Sequence, residues 1–381
     1  MNKANYKRLG EYIDYVNIRN KDGAISNLVG VSIEKRFIPS IANTIGTDLS
    51  SYKVIEPRQF AYGPVTSRNG EKITVALYTG TKKAIMSQAY ESFKIKDEKK
   101  LLPEYLMMWM SRPEFDRYAR FKSHGTVREL FSWEEMCNVL LPVPPIAEQH
   151  KIVEDYQTVE RRIRNNERMI ATLEQTAQAI YRHTLVEGID ENNLPEGWKT
   201  ITIREFCDQI TSGGTPSKNI DEYWIKGTIP WLRTGDVQNN VILSTDSYIT
   251  ENGLKNSSAK MVPANTVIMA MYGGGTLSNV GYLTFPSTTN QACCNMICKN
   301  KQKAAYLYFV MKHKQQDIKR LANGGAQENL NAEIISSQMI IDPQYTKIYA
   351  KFATLLNSIV NLSRENHLLR RLLRLMTSKL S

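Results

Sequence analysis

The sequence contains one long internal repeat, and this repeat constrains the fold more than any other feature. Residues 125–130 realign with residues 325–330, and the offset of 200 residues (325 − 125) continues far beyond them, for example from Asn166 to Asn366. Self-similarity over such a distance predicts two copies of one structural module. The fold of one module and the consequence of its duplication are therefore the two things to explain.

Each copy ends in a segment whose apolar residues are spaced alternately four and three residues apart. This spacing places them on one seam of a helix. The first helix would have about forty residues and a length of roughly 60 Å, so a partner helix is needed to cover its seam. The seam residues are Ile152, Tyr156, Val159, Ile163, Asn166, Ile170, Leu173, Ala177, Ile180 and Thr184 in the first helix and Leu355, Ile359, Leu362, Asn366, Leu369, Leu373, Met376 and Leu380 in the second.

One asparagine occupies each seam, Asn166 in the first helix and Asn366 in the second, near the middle of each helix. If the helices pack antiparallel, their midpoints meet. A buried Asn pair at that point would fix register and orientation at some cost in stability. The alternative is that each side chain points sideways into water. We expect the pair, and we treat Asn166 and Asn366 as coiled-coil register residues.

The helices divide the chain into four predicted parts. Residues 1–144 form a first mixed domain, 145–187 the first long helix, 188–344 a second mixed domain, and 345–381 the second helix. Both domains contain short β-branched and aromatic runs separated by Gly, Pro, Asn and Ser turns, a pattern typical of strands. The sequence therefore predicts an α+β fold with two strand-rich domains, two long helices and a pseudo-two-fold internal repeat.

Within the first domain, runs 72–78, 91–96 and 139–141 predict strands, and 103–121 predicts a helix. The second domain repeats the first in outline, with offsets that drift between 194 and 203 residues. The matching triplets are Leu9-Gly10-Glu11 with Ile203-Arg204-Glu205, Ser87-Gln88-Ala89 with Asn290-Gln291-Ala292, and Tyr105-Leu106-Met107 with Tyr306-Leu307-Tyr308.

The net charge of +11 is spread along the chain. Such an excess predicts a polyanionic partner, nucleic acid above all, although a basic enzyme would look similar. We find no apolar run that would serve as a signal peptide or membrane span, and five cysteines without a C-x-x-C pair fit a reducing cytoplasm. Cys293, Cys294 and Cys298 lie in a run that predicts a buried strand, so we expect no metal site.

Two short motifs resemble catalytic sites. Residues 342–345 resemble the D-P-P-Y motif of adenine-N6 methyltransferases, but they realign with the proline stretch before the first helix, and no glycine-rich turn for S-adenosylmethionine precedes them. Residues 98–100 have the E-x-K spacing of nucleases without an acidic partner in a strand, and the chain has no Walker sequence. The sequence predicts a chain that is not itself an enzyme.

Several motifs occur in an order that resembles one known family. They are L-P-V-P-P-I-A-E-Q-H-K-I-V at 141–153, L-P-E-G-W at 194–198, S-G-G-T-P-S at 212–217, Y-W at 223–224 and I-P-W at 229–231. Over the whole chain, this order resembles the specificity subunit of type I restriction-modification systems. The second copy departs from the pattern, because Glu148-Gln149 becomes Ile348-Tyr349 and the proline stretch becomes D-P-Q-Y.

The resemblance implies that two target recognition domains each read one half of a split, asymmetric site in double-stranded DNA, while the helices form an antiparallel coiled coil that sets their separation. It implies that two methyltransferase subunits dock on the chain and methylate adenine at N6, with S-adenosylmethionine bound by those subunits. Motor and endonuclease subunits would join for cleavage, in a bacterial or archaeal cytoplasm. The alternatives are a standalone DNA-binding regulator and a single-chain restriction-methylation enzyme.

Reading DNA requires phosphate contacts and side chains that hydrogen-bond base edges. Basic residues beside turns are candidates, although for any one of them a solvated surface role is favoured over a base contact. The glycine-rich loops 212–217 and 272–276 could offer N–H groups to phosphate or could only form tight turns. The candidates are Lys35, Arg36, Arg58, Arg68, Lys82 and Lys83 in the first domain and Gly213, Gly214, Thr215, Lys218, Arg233, Lys255, Lys260, Tyr272 and Gly274 in the second.

Overall fold

The computed structural model describes residues 6–40, 47–67, 70, 72–124, 129–190, 193–273, 275–322 and 329–380. The chain divides into two compact units, one formed by Met1–Arg162 and Leu369–Ser381 and the other by Ile163–Leu368. Each unit contains one strand-rich part and a portion of both long helices. The stretch 125–128 of the first repeat and its counterpart 325–328 lie outside the described residues.

The first unit is built around a four-stranded antiparallel sheet with three strand pairs beside it. Phe60 stacks on Phe93 across two neighbouring strands, with ring centroids 4.8 Å apart, at the centre of its core. In spatial order, the sheet contains Ile13–Val16, Glu91–Ile95, Phe60–Tyr62 and Val75–Leu77. The strand pairs are Tyr6–Arg8 with Leu140–Pro142, Val29–Val31 with Phe37–Pro39, and Lys53–Ile55 with Ala84–Met86. The helices of the strand-rich part are Leu9–Glu11, Pro103–Met110, Pro113–Phe121 and Trp133–Asn138.

The single helix predicted over 103–121 is wrong, because two helices, Pro103–Met110 and Pro113–Phe121, occupy this segment. Pro113 begins the second helix, and it restricts the residue before it to extended backbone. Arg112 accordingly has φ −74° and ψ 143°. Pro113 is therefore the sequence signal for this break, and apolar spacing alone does not show it.

The second unit contains two larger sheets and a helix packed on one of them. Helix Lys301–Arg320 buries every side chain from Ala304 to Met311 and contacts the strands Val267–Ala270 and Val280–Leu283. In spatial order, the five-stranded sheet contains Gln209–Ser212, Cys293–Ile297, Val267–Ala270, Val280–Leu283 and Val241–Ile242, and the four-stranded sheet contains Tyr248–Ile249, Ile229–Leu232, Ser287–Thr289 and Met261–Val262. A separate strand pair joins Lys199–Thr202 to Met339–Asp342. The remaining short helices are Ile203–Phe206, Asp221–Tyr223, Thr234–Asp236, Glu251–Lys255 and Ala332–Ser336.

The internal repeat is visible in the strand that precedes each long helix. In the first unit, Leu140–Pro142 pairs antiparallel with the opening strand Tyr6–Arg8. In the second unit, Met339–Asp342 pairs antiparallel with Lys199–Thr202. Each opening strand leads directly into a short helical turn, and each closing strand follows a short helix. The pseudo-repeat predicted from the sequence is therefore present in the topology.

The two long helices are Ile146–Leu185 and Thr346–Ser378. Within the second unit, the ring of Tyr306 lies 6.4 Å from Tyr181 of the first helix and 5.3 Å from Tyr349 of the second. Asn166 Nδ2 donates to Asn366 Oδ1 at 2.9 Å. Parallel helices joined at this Asn pair would hold the two tyrosines about 48 Å apart, at about 1.5 Å per residue, so the helices run antiparallel.

The Asn pair lies on the seam as predicted. Asn166 is 0% and Asn366 is 2% exposed, and among the described residues the Oδ1 atom of Asn166 has no hydrogen-bond donor. A half-satisfied amide pair in a hydrophobic seam weakens the helix pair, because buried polar atoms lose their water. The same pair favours one register, since any slip would leave both amides without a partner.

At the end of the first helix, the buried face is wider than the predicted seam. Ala177, Tyr181 and Leu185 are buried there, whereas Ile180 and Thr184 are only half-buried. The buried residues are spaced four apart because this end packs on the globular core that contains Tyr306, and a helix that packs on a domain buries a wider face than a coiled-coil seam does.

Replacing Asn166 by Leu should lower the free energy of unfolding by about 1–3 kcal/mol, because the Asn366 amide would remain buried without a partner. The double variant Asn166→Leu/Asn366→Leu should recover that loss, since two apolar side chains then fill the seam. Urea unfolding of the full chain measures both effects. Met169→Leu, at a site 52% exposed on the same helix, serves as control. A double variant no more stable than the single one would contradict the pairing.

Candidate nucleic-acid interface

The loop 212–217 of the second unit is pressed against a sheet. A Cβ atom on Gly213 would lie 2.0 Å from the Thr289 carbonyl oxygen, and one on Gly214 would lie 2.3 Å from the backbone of Ser258. Close approach therefore requires glycine at both positions. The Gly214 N–H donates to the Thr289 carbonyl at 2.8 Å. This N–H is not available to a phosphate, which favours the tight-turn interpretation at Gly214.

Two tryptophans hold the loop in place. Trp231 Nε1 donates to the Gly214 carbonyl at 2.9 Å, and Trp224 Nε1 donates to the Ser217 carbonyl at 3.0 Å. The two indole rings meet edge to face with centroids 5.0 Å apart, a favourable aromatic geometry. The motifs at 223–224 and 229–231 thus fix the backbone on which Thr215 and Lys218 stand.

The clamped loop forms one wall of a groove of about 580 Å³. Three of the predicted candidates, Thr215, Lys218 and Arg233, line it together. Both cations are exposed, and neither forms an ion pair with a described residue. The remaining lining residues are Trp231, Thr234, Gly235, Asp236, Asn290 and Gln291.

The groove retains a positive balance despite the carboxylate of Asp236. That carboxylate accepts the backbone N–H of Arg233 at 2.9 Å and the hydroxyl of Thr245 at 3.4 Å, so it stabilises a turn of the loop. Its hydrogen bonds are local, whereas Lys218 and Arg233 extend into the open groove. An anion with oxygen acceptors, such as a DNA phosphate, matches this arrangement.

Gln291 is a groove residue that the sequence candidates omitted. Its Oε1 atom accepts a hydrogen bond from the Thr215 hydroxyl, and its side chain is exposed. A signal for it existed in the sequence, because Asn290-Gln291-Ala292 realigns with Ser87-Gln88-Ala89. Charge-based selection missed both glutamines because it considered cations and glycines first.

Tyr272, Lys255 and Lys260 of the second unit are not among the residues that line this groove. Tyr272 is half-buried and packs on the hydrophobic core. Gly273 and Gly275 have φ values of 116° and 83°, and the Thr276 N–H donates to the Gly273 carbonyl at 3.1 Å, so the loop forms a tight turn. Lys255 and Lys260 are exposed outside the groove, and Gly274 lies outside the described residues.

Lys35 of the first unit is not a surface cation. Its ammonium group forms an ion pair with Asp116 at 2.8 Å and donates to the Met110 carbonyl at 2.6 Å, and only 8% of the side chain is exposed. Burial lowers the pKa of Lys35, and the contact with Asp116 opposes that shift. Its charge is compensated inside the domain and is not available to DNA in this structure.

The positive charge of Arg58 is compensated by two carboxylates. Its guanidinium donates to Glu98 at 2.7 Å and to Glu104 at 2.7 Å, and the hydrogen bond to Glu98 raises the pKa of Arg58 further. It lines a groove of about 590 Å³ with both carboxylates, so the local charge there is not positive. Lys83 pairs with Glu56 at 2.5 Å.

Two basic candidates of the first unit remain open. Arg36 and Lys82 are exposed and form no ion pair with a described residue, while Arg68 lies outside the described residues. Among the described candidates, the first unit thus keeps two cations without an ion pair to a described residue, the same number as the groove of the second unit. That Lys35, Arg58 and Lys83 contact DNA stays a prediction, and each of them forms an ion pair within the first unit.

The first residue of the motif at 342–345, Asp342, is part of the core. Asp342 is 3% exposed; its carboxylate accepts the Tyr349 hydroxyl and lies 3.7 Å from the Lys303 ammonium. That ammonium also lies 4.6 Å from the centre of the Phe206 ring. A carboxylate held in this way joins the strand, the helix Lys301–Arg320 and the second long helix.

The cysteine-containing strand Cys293–Ile297 is buried as predicted. Burial raises the pKa of the Cys294 thiol to about 12, so it stays protonated, whereas a metal ligand must be a thiolate. Among the described residues, no group of three or more His, Cys, Asp or Glu side chains is arranged to hold a metal ion. Within the same ranges, no helix combines the length and apolarity needed to cross a bilayer.

Sequence comparison finds relatives of one kind. The chain is 32% identical over 173 residues to the specificity subunit of the type I restriction enzyme EcoR124I/EcoR124II from Escherichia coli, which is 42% of each chain. It is 28% identical over 195 residues to the MjaIX specificity subunit from Methanocaldococcus jannaschii, covering 48% of this chain and 43% of that one. The matched segments thus span about two fifths of the curated relatives' length.

Structure comparison gives the same fold. The S subunit of a type I restriction-modification system from M. genitalium superimposes with a TM-score of 0.57 at 14% identity, covering 98% of this chain and 95% of that one. The sequence model for the type I restriction modification DNA specificity domain matches residues 11–175 and again residues 195–369. The chain therefore belongs to the family of type I restriction-modification DNA specificity domains and carries two copies of that domain.

Proposed function

We propose that this chain is the DNA-recognition subunit of a type I restriction-modification complex, and that each domain reads one half of a bipartite DNA target. The observation that carries the proposal is the groove of the second unit, where Lys218 and Arg233 form no ion pair with a described residue and lie beside hydrogen-bonding side chains. Phosphate contacts of this kind set a protein's position on DNA, and neighbouring polar side chains read base edges.

The difference between the two domains supports an asymmetric target. The first domain has no G-G-T-P-S sequence like that of residues 212–217, and its candidates Lys35, Arg58 and Lys83 are ion-paired. Two identical readers would bind a palindrome, whereas two different readers bind two different half-sites. The long helices are proposed to set the gap, since a helix of 40 residues extends about 60 Å.

The catalytic partners are part of the same proposal. Two methyltransferase subunits would dock on this chain, bind S-adenosylmethionine and transfer its methyl group to adenine N6, and motor and endonuclease subunits would join for cleavage. The internal contacts of Asp342 support a chain without its own methyltransferase site, because that carboxylate is enclosed in the core. The complex would work in a bacterial or archaeal cytoplasm.

Mapping N6-methyladenine in the genome of a host that expresses this chain with its methyltransferase partner tests the proposal. We expect one motif made of two different half-sites separated by a fixed gap, and we expect the motif to vanish when this chain alone is deleted. A palindromic motif, or methylation by the purified chain alone, would contradict it. Tight specific binding by the chain alone would favour a standalone regulator instead.

Removing a groove cation should weaken DNA binding by the assembled complex in a salt-dependent way. In Lys218→Ala or Arg233→Ala, the loss of one phosphate contact should reduce the slope of log K against log salt by about 0.9. Lys319→Ala is the matched control, because Lys319 is exposed on helix Lys301–Arg320 outside the groove. Filter or fluorescence titrations at several salt concentrations give the slopes, and an unchanged slope in both variants would exclude this groove as a phosphate site.

A further inference from the structure

Both domains contain the same small turn at the same point of the fold. In the first unit it joins strands Ala84–Met86 and Glu91–Ile95, and in the second it joins strands Ser287–Thr289 and Cys293–Ile297. The strand after the turn lies inside the main sheet of its unit in both cases. In each domain, the turn therefore leads directly into an interior strand of the main sheet.

The hydrogen bonds of the two turns match one for one. In the first, the Tyr90 N–H donates to the Ser87 carbonyl at 3.2 Å, and the Ala89 N–H donates to the Ser87 hydroxyl at 3.3 Å. In the second, the Cys293 N–H donates to the Asn290 carbonyl at 3.2 Å, and the Ala292 N–H donates to Asn290 Oδ1 at 3.2 Å. Ser and Asn at the first position are explained by this turn chemistry.

The glutamine at the second position of each turn is not explained by turn chemistry. Gln88 and Gln291 are both exposed, and the common turn types accept most residues at this position, so the turn itself does not require a glutamine. No hydrogen bond of the Gln88 side chain to a described residue exists, and the Nε2 donors of Gln291 are likewise unused within the described ranges. Duplicated domains that differ elsewhere have kept an exposed amide at one structural position.

The surroundings of Gln291 indicate what such an amide could bind. Its Oε1 accepts from Thr215, so the amide is oriented by the clamped loop and its two N–H donors remain for a ligand. The same groove contains Lys218 and Arg233. The Asp236 carboxylate in this groove is hydrogen-bonded locally, so the two cations and the amide donors still favour an oxyanion.

We propose that Gln88 and Gln291 each donate a hydrogen bond to a DNA phosphate, one at each half-site, and so make the contact that the two domains share. This inference rests on the proposed function, because it assigns one contact within it. A phosphate is the same in every half-site, whereas base edges differ between two different half-sites. A residue kept in both readers therefore suits the backbone better than a base. The two contacts would place each domain in the same register on its half-site.

The test uses the assembled complex and a duplex that carries the mapped target. Gln291→Ala should bind this target and an unrelated duplex more weakly by a similar factor, roughly tenfold, as expected for a hydrogen bond to a charged group. Gln291→Lys should bind as well as the wild type or better, because an ammonium also donates to phosphate. Gln302→Ala, at an exposed site on the helix Lys301–Arg320, should be unchanged, and equal thermal unfolding of all variants verifies folding.

Neutral methylphosphonate substitutions then locate the contact. At one phosphate of the second half-site, the substitution should weaken DNA binding by the wild-type complex but should not further weaken binding by the Gln291→Ala complex. At one phosphate of the first half-site, the Gln88→Ala complex should behave in the same way. The proposal is overturned if Gln291→Ala loses affinity only for the target and relaxes the motif at one base pair. It is also overturned if the losses of affinity from Gln291→Ala and from the methylphosphonate add fully at every phosphate, or if Gln291→Ala and Gln302→Ala bind DNA with the same affinity. A wild-type complex without two half-sites would instead refute the proposed function itself.

Discussion

The covering of the long apolar seam is the constraint on which the rest of this structure depends. A single helix of 40 residues cannot leave that seam in water, so the second helix must lie along it. Shape alone would allow several registers, because leucines and isoleucines on a seam are nearly interchangeable. The buried hydrogen bond between Asn166 and Asn366 makes one register better than its neighbours, since any slip would strand two amides among apolar side chains.

A fixed helix pair leaves the attached domains free to differ. The topology that joins each domain to its helix is kept, with an opening strand paired to the strand before the helix in both units. The surfaces differ, because Lys35 and Arg58 form ion pairs with carboxylates, while Lys218 and Arg233 form none with the described residues. This division between a kept frame and varied surfaces is what a protein that reads two different half-sites at a set gap requires.

Sequence patterns predicted the helices and strands, which depend on local periodicity. They missed the contacts between residues that are far apart in the sequence. The heptad spacing gave both long helices and the Asn pair, and alternating turn residues gave the strand-rich domains. The break at Arg112 follows from Pro113, which ends a helix at the residue before it, and apolar spacing alone does not show it. Lys35 could not be recognised as buried, since its partner Asp116 lies 81 residues away (116 − 35) in the sequence. The groove arises from two tryptophans that clamp a loop, and no local pattern encodes such a contact.

The central claim is that the two long helices set the gap between the half-sites, while each domain recognises the sequence of one half-site. Three additional heptads inserted after Glu167, with three more at the matching level after Arg364, would lengthen the pair by about 32 Å, close to the roughly 34 Å of one DNA turn. Methylated-adenine mapping with this variant in the full complex should return the same two half-sites with a gap wider by about nine or ten base pairs. An unchanged gap would contradict the claim.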